Sequence, residues 1–529
     1  MSPIDVAAPN LPGRFGGQRT WTSFLPVALG ALAGFYVLAL GQIGFSYDVF
    51  PFGPEASGVF YLIVITFALA AFCLIGGALS LFASMASGVI LLLTAFGLIL
   101  VLAMSWLNVP PALLAGAAGV IALGDGFQRL ESGADATRAA FWRNNLREFG
   151  LLISLLLIMT FFEYKTGGVL FRGVNVTNLI LQNSYVVIMA LGMLLVIVGG
   201  NIDLSVGSIV GFVGAICASL MVYAKFPFPP VIVIGLALGC AIGAAQGYFI
   251  AYSKIPAFIV TLAGMLIFRG LTGQMLQGQF VGPFPKGFQA ISAGFIPDFS
   301  DFGLFKAADG AVQFFWLSML IGGVGAVVMV AASWRKWSRD HAQSMDSEPF
   351  ALFVGKNVIF AALVLGFSYL LASNKGLPNV LVIMAALILV YTFVTTRTTI
   401  GRRVYAMGGN RLAAQLSGIR TDRLTFLTFV NMGGLAGLAG LIVAARLNSA
   451  TPSAGNSFEL DVIAACFIGG VSASGGVGKV IGVVIGAFFM GVMNNGMSIL
   501  GIGIFWQQVV KGLVLLAAVY VDVYQKSKA

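Results

Sequence analysis

Apolar residues run in long blocks near 24 to 43, 58 to 82, 84 to 107 and 109 to 124. After the mixed-charge stretch QRLESGADATRAAFWRNNLREF they resume near 149 to 164, 179 to 200, 205 to 224, 230 to 252, 256 to 273, 311 to 332, 357 to 373, 378 to 396, 424 to 445, 458 to 475, 479 to 500 and 503 to 522. A helix needs about 20 mostly apolar residues to cross the hydrocarbon layer. In lipid each segment must also satisfy its own backbone hydrogen bonds. The pattern therefore predicts an all-α polytopic membrane protein, with several blocks short enough to be broken or re-entrant. The charged stretch divides it into an N-terminal region, 1–124, with about four spans. A charged linker, 125–148, and a multi-span body, 149–529, follow.

Composition agrees with a lipid environment. The chain is 59% hydrophobic and 9% charged, where a soluble domain carries about a quarter charged residues. Its 68 glycines read as close helix packing: Gly235, Gly239, Gly243 and Gly247 share one helix face, and Gly482 with Gly486 repeats the spacing. The four cysteines, Cys73, Cys217, Cys240 and Cys466, lie in apolar blocks without metal or redox spacing and read as small packing residues. Arg14 and Arg19 precede the first block as in a signal sequence, but the block ends without an A-x-A-like site and reads as a retained span.

The net charge of +10 does not point to nucleic acid, because no basic arm stands clear of the apolar blocks. Most of the 29 Lys and Arg residues gather on one side when the basic loops 125 to 148, 333 to 357 and 397 to 423 are placed together. That side is expected to be cytoplasmic and to hold both termini. The acidic loops with Asp48 and Glu55, and with Asp298, Asp301 and Asp309, then fall outside, the pattern expected of a multi-pass protein of an inner membrane.

Within the spans the chemistry is sparse. From 184 to 215 an apolar helix is interrupted at Gly199, Gly200, Asn201 and Asp203 before another begins at Ser205. A carboxylate near the bilayer centre costs about 2.5 to 3.5 kcal/mol on insertion scales. Asp203 reads either as a cap for the next helix or as part of a pathway lined by a broken helix. It is the one clear carboxylate expected at depth. Gln182, Asn183, Gln246, Asn431, Asn494, Asn495, Gln507 and Gln508 read mostly as helix-to-helix hydrogen bonds, with contact to the hydroxyls of a polar solute as the other possibility. Arg269 and Lys511 are expected to snorkel toward an interface. The single histidine, His341, allows no His-based metal site or catalytic relay. The nearest approach to a phosphate-binding loop ends at Gly478-Lys479, with Ala473 and Val480 where a glycine and a hydroxyl residue belong.

The segment GGNIDLSVGS resembles the GGIDLSVGS signature of the permeases of ribose, xylose and multiple-monosaccharide ABC importers. KIPAFIVTLAGMLIFRGLTG and FELDVIAACFIGGVSASGGVGKVIGVVIGA resemble further blocks of that family in the expected order, so the likeness covers roughly residues 145 to 522. GRRVYAMGGNRLAAQLSGIR resembles the segment through which such permeases contact their ATPase subunits. The resemblance implies a coupling role for Arg402, Arg403, Gly408, Asn410, Ala413, Ala414, Leu416 and Gly418, with Ala414 and Gly418 as small docking positions. Relatives often carry an acidic residue after the asparagine, where Arg411 stands here. Gly200, Asn201, Asp203, Ser205, Asn494 and Asn495 are candidates for the helix break or translocation pathway.

What the resemblance implies is a non-enzymatic permease working as a homodimer, with a cytoplasmic ATPase that holds ATP and magnesium and a periplasmic sugar-binding protein. This chain itself is expected to bind no cofactor. The cargo would be a monosaccharide, xylose-like or one of several. A secondary transporter or channel is the competing class, weakened by the shortage of titratable groups at depth.

Overall fold

The computed structural model describes residues 136–298, 314–342 and 350–527. The first four predicted spans, Cys73, Asp48, Glu55, Asp301, Asp309 and residues 125–135 of the charged linker lie outside them. The chain divides after Phe149, and Gly150–Ala529 forms one compact unit.

The described residues form helices, with two isolated bridges, Val281 to Ala450 and Phe295 to Pro378, as their extended pairings. In chain order these are α1 (Ala136–Lys165), α2 (Gly173–Val198), α3 (Val206–Val222), α4 (Phe228–Ala251) and α5 (Ala257–Leu276). The short α6 (Lys286–Ala293) precedes α7 (Trp316–Ala342), α8 (Phe350–Ala372) and α9 (Asn379–Arg397). Then come α10 (Thr399–Gly409), α11 (Arg411–Leu416), α12 (Thr421–Leu447), α13 (Phe458–Ile468), α14 (Val480–Ile499) and α15 (Ile504–Ser527). Seven of the helices among the described residues are long and apolar enough to cross a membrane.

Burial sorts these helices into an inner and an outer set. The apolar window of α2 is 83% buried and those of α12 and α14 are 67% buried, whereas α4 and α5 bury 28% and 22%. Inner helices therefore bury apolar residues all round, and the outer ones present apolar side chains outward, as lipid-facing helices do. The glycine faces bring α4 and α12 together: a Cβ at Gly239 would lie 2.4 Å from the Gly433 carbonyl, and one at Gly243 would lie 2.2 Å from that of Phe429. Across the α13 to α14 contact, a Cβ at Gly486 would meet the Ala465 carbonyl at 2.1 Å. These small residues act as packing faces, as their spacing implies.

Two interruptions shape the centre. The chain leaves helical form between Val198 and Val206, and again between Ile468 and Val480. With 11 residues, α13 is about 16 Å long and cannot cross a layer of about 30 Å. The sequence block 458 to 475 is thus a half-helix that ends at Gly469 and Gly470, the latter at φ +79°. By contrast α2, with 26 residues, spans about 39 Å before it stops. Its break therefore lies at one end of the bundle rather than at the midplane, which corrects the depth expected for Asp203.

Candidate functional site

At one end of the bundle the two interruptions and the 398 to 420 segment meet. Thr398 caps α10 by accepting from the Gly401 N–H at 3.2 Å, and Asn410 caps α11 by accepting from the Ala413 N–H at 2.9 Å. Capping at Asn410 divides the segment into two short helices, each start supplied with an acceptor for an otherwise unpaired donor.

Behind this segment, backbone meets backbone. The Gly476 N–H donates to the Val198 carbonyl at 2.9 Å, which joins the α13 to α14 loop directly to the end of α2. Gly408 lies against the same joint: a Cβ there would stand 1.6 Å from the Val198 oxygen and 2.7 Å from the Gly476 nitrogen. Tyr405 donates its phenol proton to the Gly478 carbonyl at 2.7 Å, and burial holds that phenol above its ordinary pKa, so it stays a donor. Asp522 of α15 accepts from the Ala473 N–H at 3.0 Å and ties the last helix to the same loop. The stretch that came nearest to a phosphate-binding loop thus spends its Gly476 N–H on a carbonyl within the protein.

The exposed side of this end belongs to α11. Leu416 is 82% exposed and Leu412 67%, with Arg402, Arg403, Ala413, Gln415 and Gly418 also exposed. Ala414 differs from expectation. It is 4% exposed and turned into the chain, so it packs the segment onto its own bundle and does not offer a docking position. A six-residue helix carries too little periodicity to show which face is which. Arg411 pairs with Asp422 at 3.2 Å, and Lys254 pairs with the same carboxylate. The basic residue in the acidic position is therefore neutralised within the chain. A cavity of about 500 Å³ opens between these residues and Asn201, while Gly200 is exposed at φ +82°.

Asp203 is 1% exposed and occupied locally. Its Oδ1 accepts from the Ser205 N–H at 2.8 Å and from the Ser205 hydroxyl at 2.6 Å, and Gln246 Nε2 donates to Ser205 Oγ at 2.9 Å. The carboxylate closes a local turn onto Ser205, the residue that precedes α3, and Ser205 in turn links to Gln246 of α4.

At the opposite end, α2, α12, α13 and α14 enclose a cavity of about 280 Å³. Asn494 and Asn495 both line it, together with Gln182, Tyr185, Arg446 and Phe458. Asn495 and Asn175 exchange hydrogen bonds of 3.0 and 3.1 Å, and Asn183 donates to the Ala487 carbonyl at 2.7 Å. Gln507 likewise donates to the Ile502 carbonyl at 2.8 Å. Most of the intramembrane amides thus bind the protein's own groups. Asn494 donates through Nδ2 to Asp461 Oδ2 at 3.3 Å and leaves its buried Oδ1 without a partner.

Two buried acids here escaped the sequence reading. Asp461 is 2% exposed, with Lys511 Nζ 2.9 Å from Oδ1 and 3.0 Å from Oδ2. Glu459 is 6% exposed and 3.8 Å from Arg269. Asp203 is therefore not the only buried carboxylate; Lys511 pairs with one of these acids, and Arg269, 41% exposed, lies beside the other. The available signal was the pairing of opposite charges in apolar blocks: FELDV carries two acids, and Lys511 interrupts the final block.

Residues 175–519 match the family described as branched-chain amino acid transport system / permease component. Over 385 residues the chain is 40% identical to the xylose transport system permease protein XylH of Escherichia coli (strain K12), covering 73% of this chain and 94% of that protein. The XylH of Haemophilus influenzae is also 40% identical, over 73% of this chain and 98% of the relative. The ribose import permease protein RbsC of Escherichia coli (strain K12) is 32% identical over 73% and 96%. No solved structure matches. With its apolar helices, its two interrupted segments and a match that spans most of the described body, the chain belongs to the permease family of sugar ABC importers.

Proposed function

We propose that this permease carries a five-carbon sugar such as xylose from the periplasm to the cytoplasm, driven by ATP that a separate ATPase subunit hydrolyses with its magnesium. The cargo class follows the 40% identity to xylose permeases, against 32% to a ribose permease. Two copies of the chain pair in the inner membrane, with the α10 to α11 end and both termini cytoplasmic. The ATPase docks there, on Leu412, Leu416 and the exposed arginines. A sugar-binding protein delivers cargo at the opposite end. This chain contributes no catalytic group and no cofactor site.

The observation that carries the coupling role is the joint of Val198, Gly408 and Gly476. It connects an exposed segment to both interrupted helices through backbone contacts with little compliance, so displacement of α10 and α11 reaches the ends of α2 and the α13 to α14 loop together. The test is a complex of the chain with its ATPase and binding protein in proteoliposomes. Labelled xylose should accumulate only with ATP and with the binding protein added. Failure to take up any monosaccharide would overturn the reading.

A proton-coupled secondary transporter is the second reading, favoured by the buried acids Glu459 and Asp461. Uptake that continues without ATP and collapses with an ionophore would select it. Both acids lie beside a cation, an arrangement that suits a fixed structural pair.

A further inference from the structure

Resting on the import reading, we propose that the cavity between α2, α12, α13 and α14 is a binding station for the neutral monosaccharide itself, so that this chain holds the sugar on its way inward. Its volume of about 280 Å³ is close to the lower range of small-ligand sites, about 300 to 1,000 Å³. Three polar groups on its wall lack protein partners. Asn494 Oδ1 is buried without a hydrogen bond. Gln182, exposed at the rim, has no hydrogen bond to any described residue, and the half-buried Arg446 has neither hydrogen bond nor ion pair to one. Nearby Asn183, Ser184 and Asn495 all have partners. A buried polar atom left unpartnered, as Asn494 Oδ1 is, costs free energy that a ligand with matching hydroxyls recovers.

The chemistry matches a sugar ring on both of its aspects. Asn494 Oδ1 accepts a hydroxyl proton, and Arg446 and Gln182 donate to hydroxyl oxygens. Tyr185 and Phe458 stack with ring centres 3.8 Å apart and planes 19° apart, a flat apolar surface for the C–H face of a pyranose. Behind the wall, Asp461 fixes two of these groups: it accepts from Asn494, and the Tyr185 hydroxyl lies 3.4 Å from the same oxygen. Lys511 neutralises that carboxylate. Arg446 and Leu447 end α12 at the face opposite α10 and α11, so a sugar entering from outside reaches this cavity before the two interruptions.

The test uses the full importer in proteoliposomes, with Arg446→Gln to remove the charged donor and Gln182→Trp to fill the cavity. Uptake of labelled xylose should fall about tenfold or more in each, the size expected when one polar contact of this kind is lost. Co-purification with the ATPase and basal ATP hydrolysis should stay at their wild-type levels. Gln182→Ala should alter the ratio of five-carbon to six-carbon sugar uptake. Wild-type uptake rates in both Arg446→Gln and Gln182→Trp would overturn the station while leaving the import reading intact. Preference of the unaltered importer for an anionic sugar acid over xylose would overturn the assignment to a neutral ligand. Absence of all monosaccharide uptake by the unaltered complex would overturn the import reading instead. Where Arg446→Gln depletes the protein from the membrane, Gln182→Trp alone decides.

Discussion

The two ends of this bundle treat polar groups in opposite ways. Where α10 and α11 lie, the central joint is made of backbone: the Gly476 N–H on the Val198 carbonyl, with Gly408 pressed against both. At the other end, side chains of α2, α12, α13 and α14 surround a cavity and leave Asn494 Oδ1 without a partner. A joint without side chains has little room to yield and suits the passing of displacement. A ring of side chains with spare hydrogen-bonding capacity suits the holding of a polar solute. One helix, α2, runs from the first region to the second, so movement at the joint is movement of one wall of the cavity.

The largest expected effect breaks the joint. In Gly408→Ala the new methyl would stand 1.6 Å from the Val198 oxygen, and neither backbone can retreat without moving a helix. Overpacking in a close-packed setting costs about 1 to 3 kcal/mol and more where backbone must shift. Gly409→Ala meets nothing within 4 Å and serves as the control one residue away. Membrane abundance and sugar uptake should both collapse for Gly408→Ala and remain normal for Gly409→Ala. Equal behaviour of the pair would mean that the joint is not tight.

The second effect belongs to the cavity end. Removing one member of a buried ion pair leaves an uncompensated charge, at a cost of roughly 3 to 5 kcal/mol, whereas removing both is often nearly neutral. Lys511→Met should therefore lower the thermal unfolding temperature of the purified protein strongly. Asp461→Leu combined with Lys511→Met should recover most of the loss. A double variant no better than the single would show that Asp461 is held chiefly by Asn494 and Tyr185.

How much of this was legible beforehand follows from the range of the forces involved. The blocks from 149 onward each contain a helix because hydropathy is local, although 458 to 475 is helical only to Ile468, and the glycine faces were legible because four-residue spacing fixes one side of a helix. Asp461 and Lys511 are 50 residues apart. Read alone, Glu459 and Asp461 look like ordinary acids in the first turn of a helix. The cavity exists only where four helices converge, so no window of sequence contains it. At α11 a six-residue helix left the facing of Ala414 open, and packing against the bundle decided it.

That facing gives the third prediction. Leu416, at 82% exposure, is available to a partner, so Leu416→Glu should leave the permease folded while lowering ATPase co-purification about tenfold, as loss of an apolar interface anchor does. Ala414→Trp acts differently, because its side chain enters the chain's own packing. Thermal stability of the isolated permease should drop before any question of docking arises. If Leu416→Glu retained the ATPase fully, the docking surface would lie elsewhere on this end.

The smallest effect is expected at Asp203, and it sharpens the comparison by asking whether the charge itself matters at the joint end. Oδ1 of Asp203 accepts both the N–H and the hydroxyl proton of Ser205, at 2.8 and 2.6 Å. Asn at this position keeps one carbonyl oxygen in the same place, so both bonds can persist and only their charge-assisted part is lost. Leaving a buried donor unsatisfied costs about 1 to 3 kcal/mol, and Asp203→Asn should cost less than Asp203→Leu, which also leaves Ser205 and Gln246 a broken chain of hydrogen bonds. Because the carboxylate is 1% exposed and lines neither cavity, uptake should fall in proportion to abundance in both variants. Transport per molecule should remain near that of the unaltered permease. A selective loss of transport in Asp203→Asn at normal abundance would give the charge a part in moving the solute, and would place a pathway group at the end of the bundle that otherwise works by backbone contact.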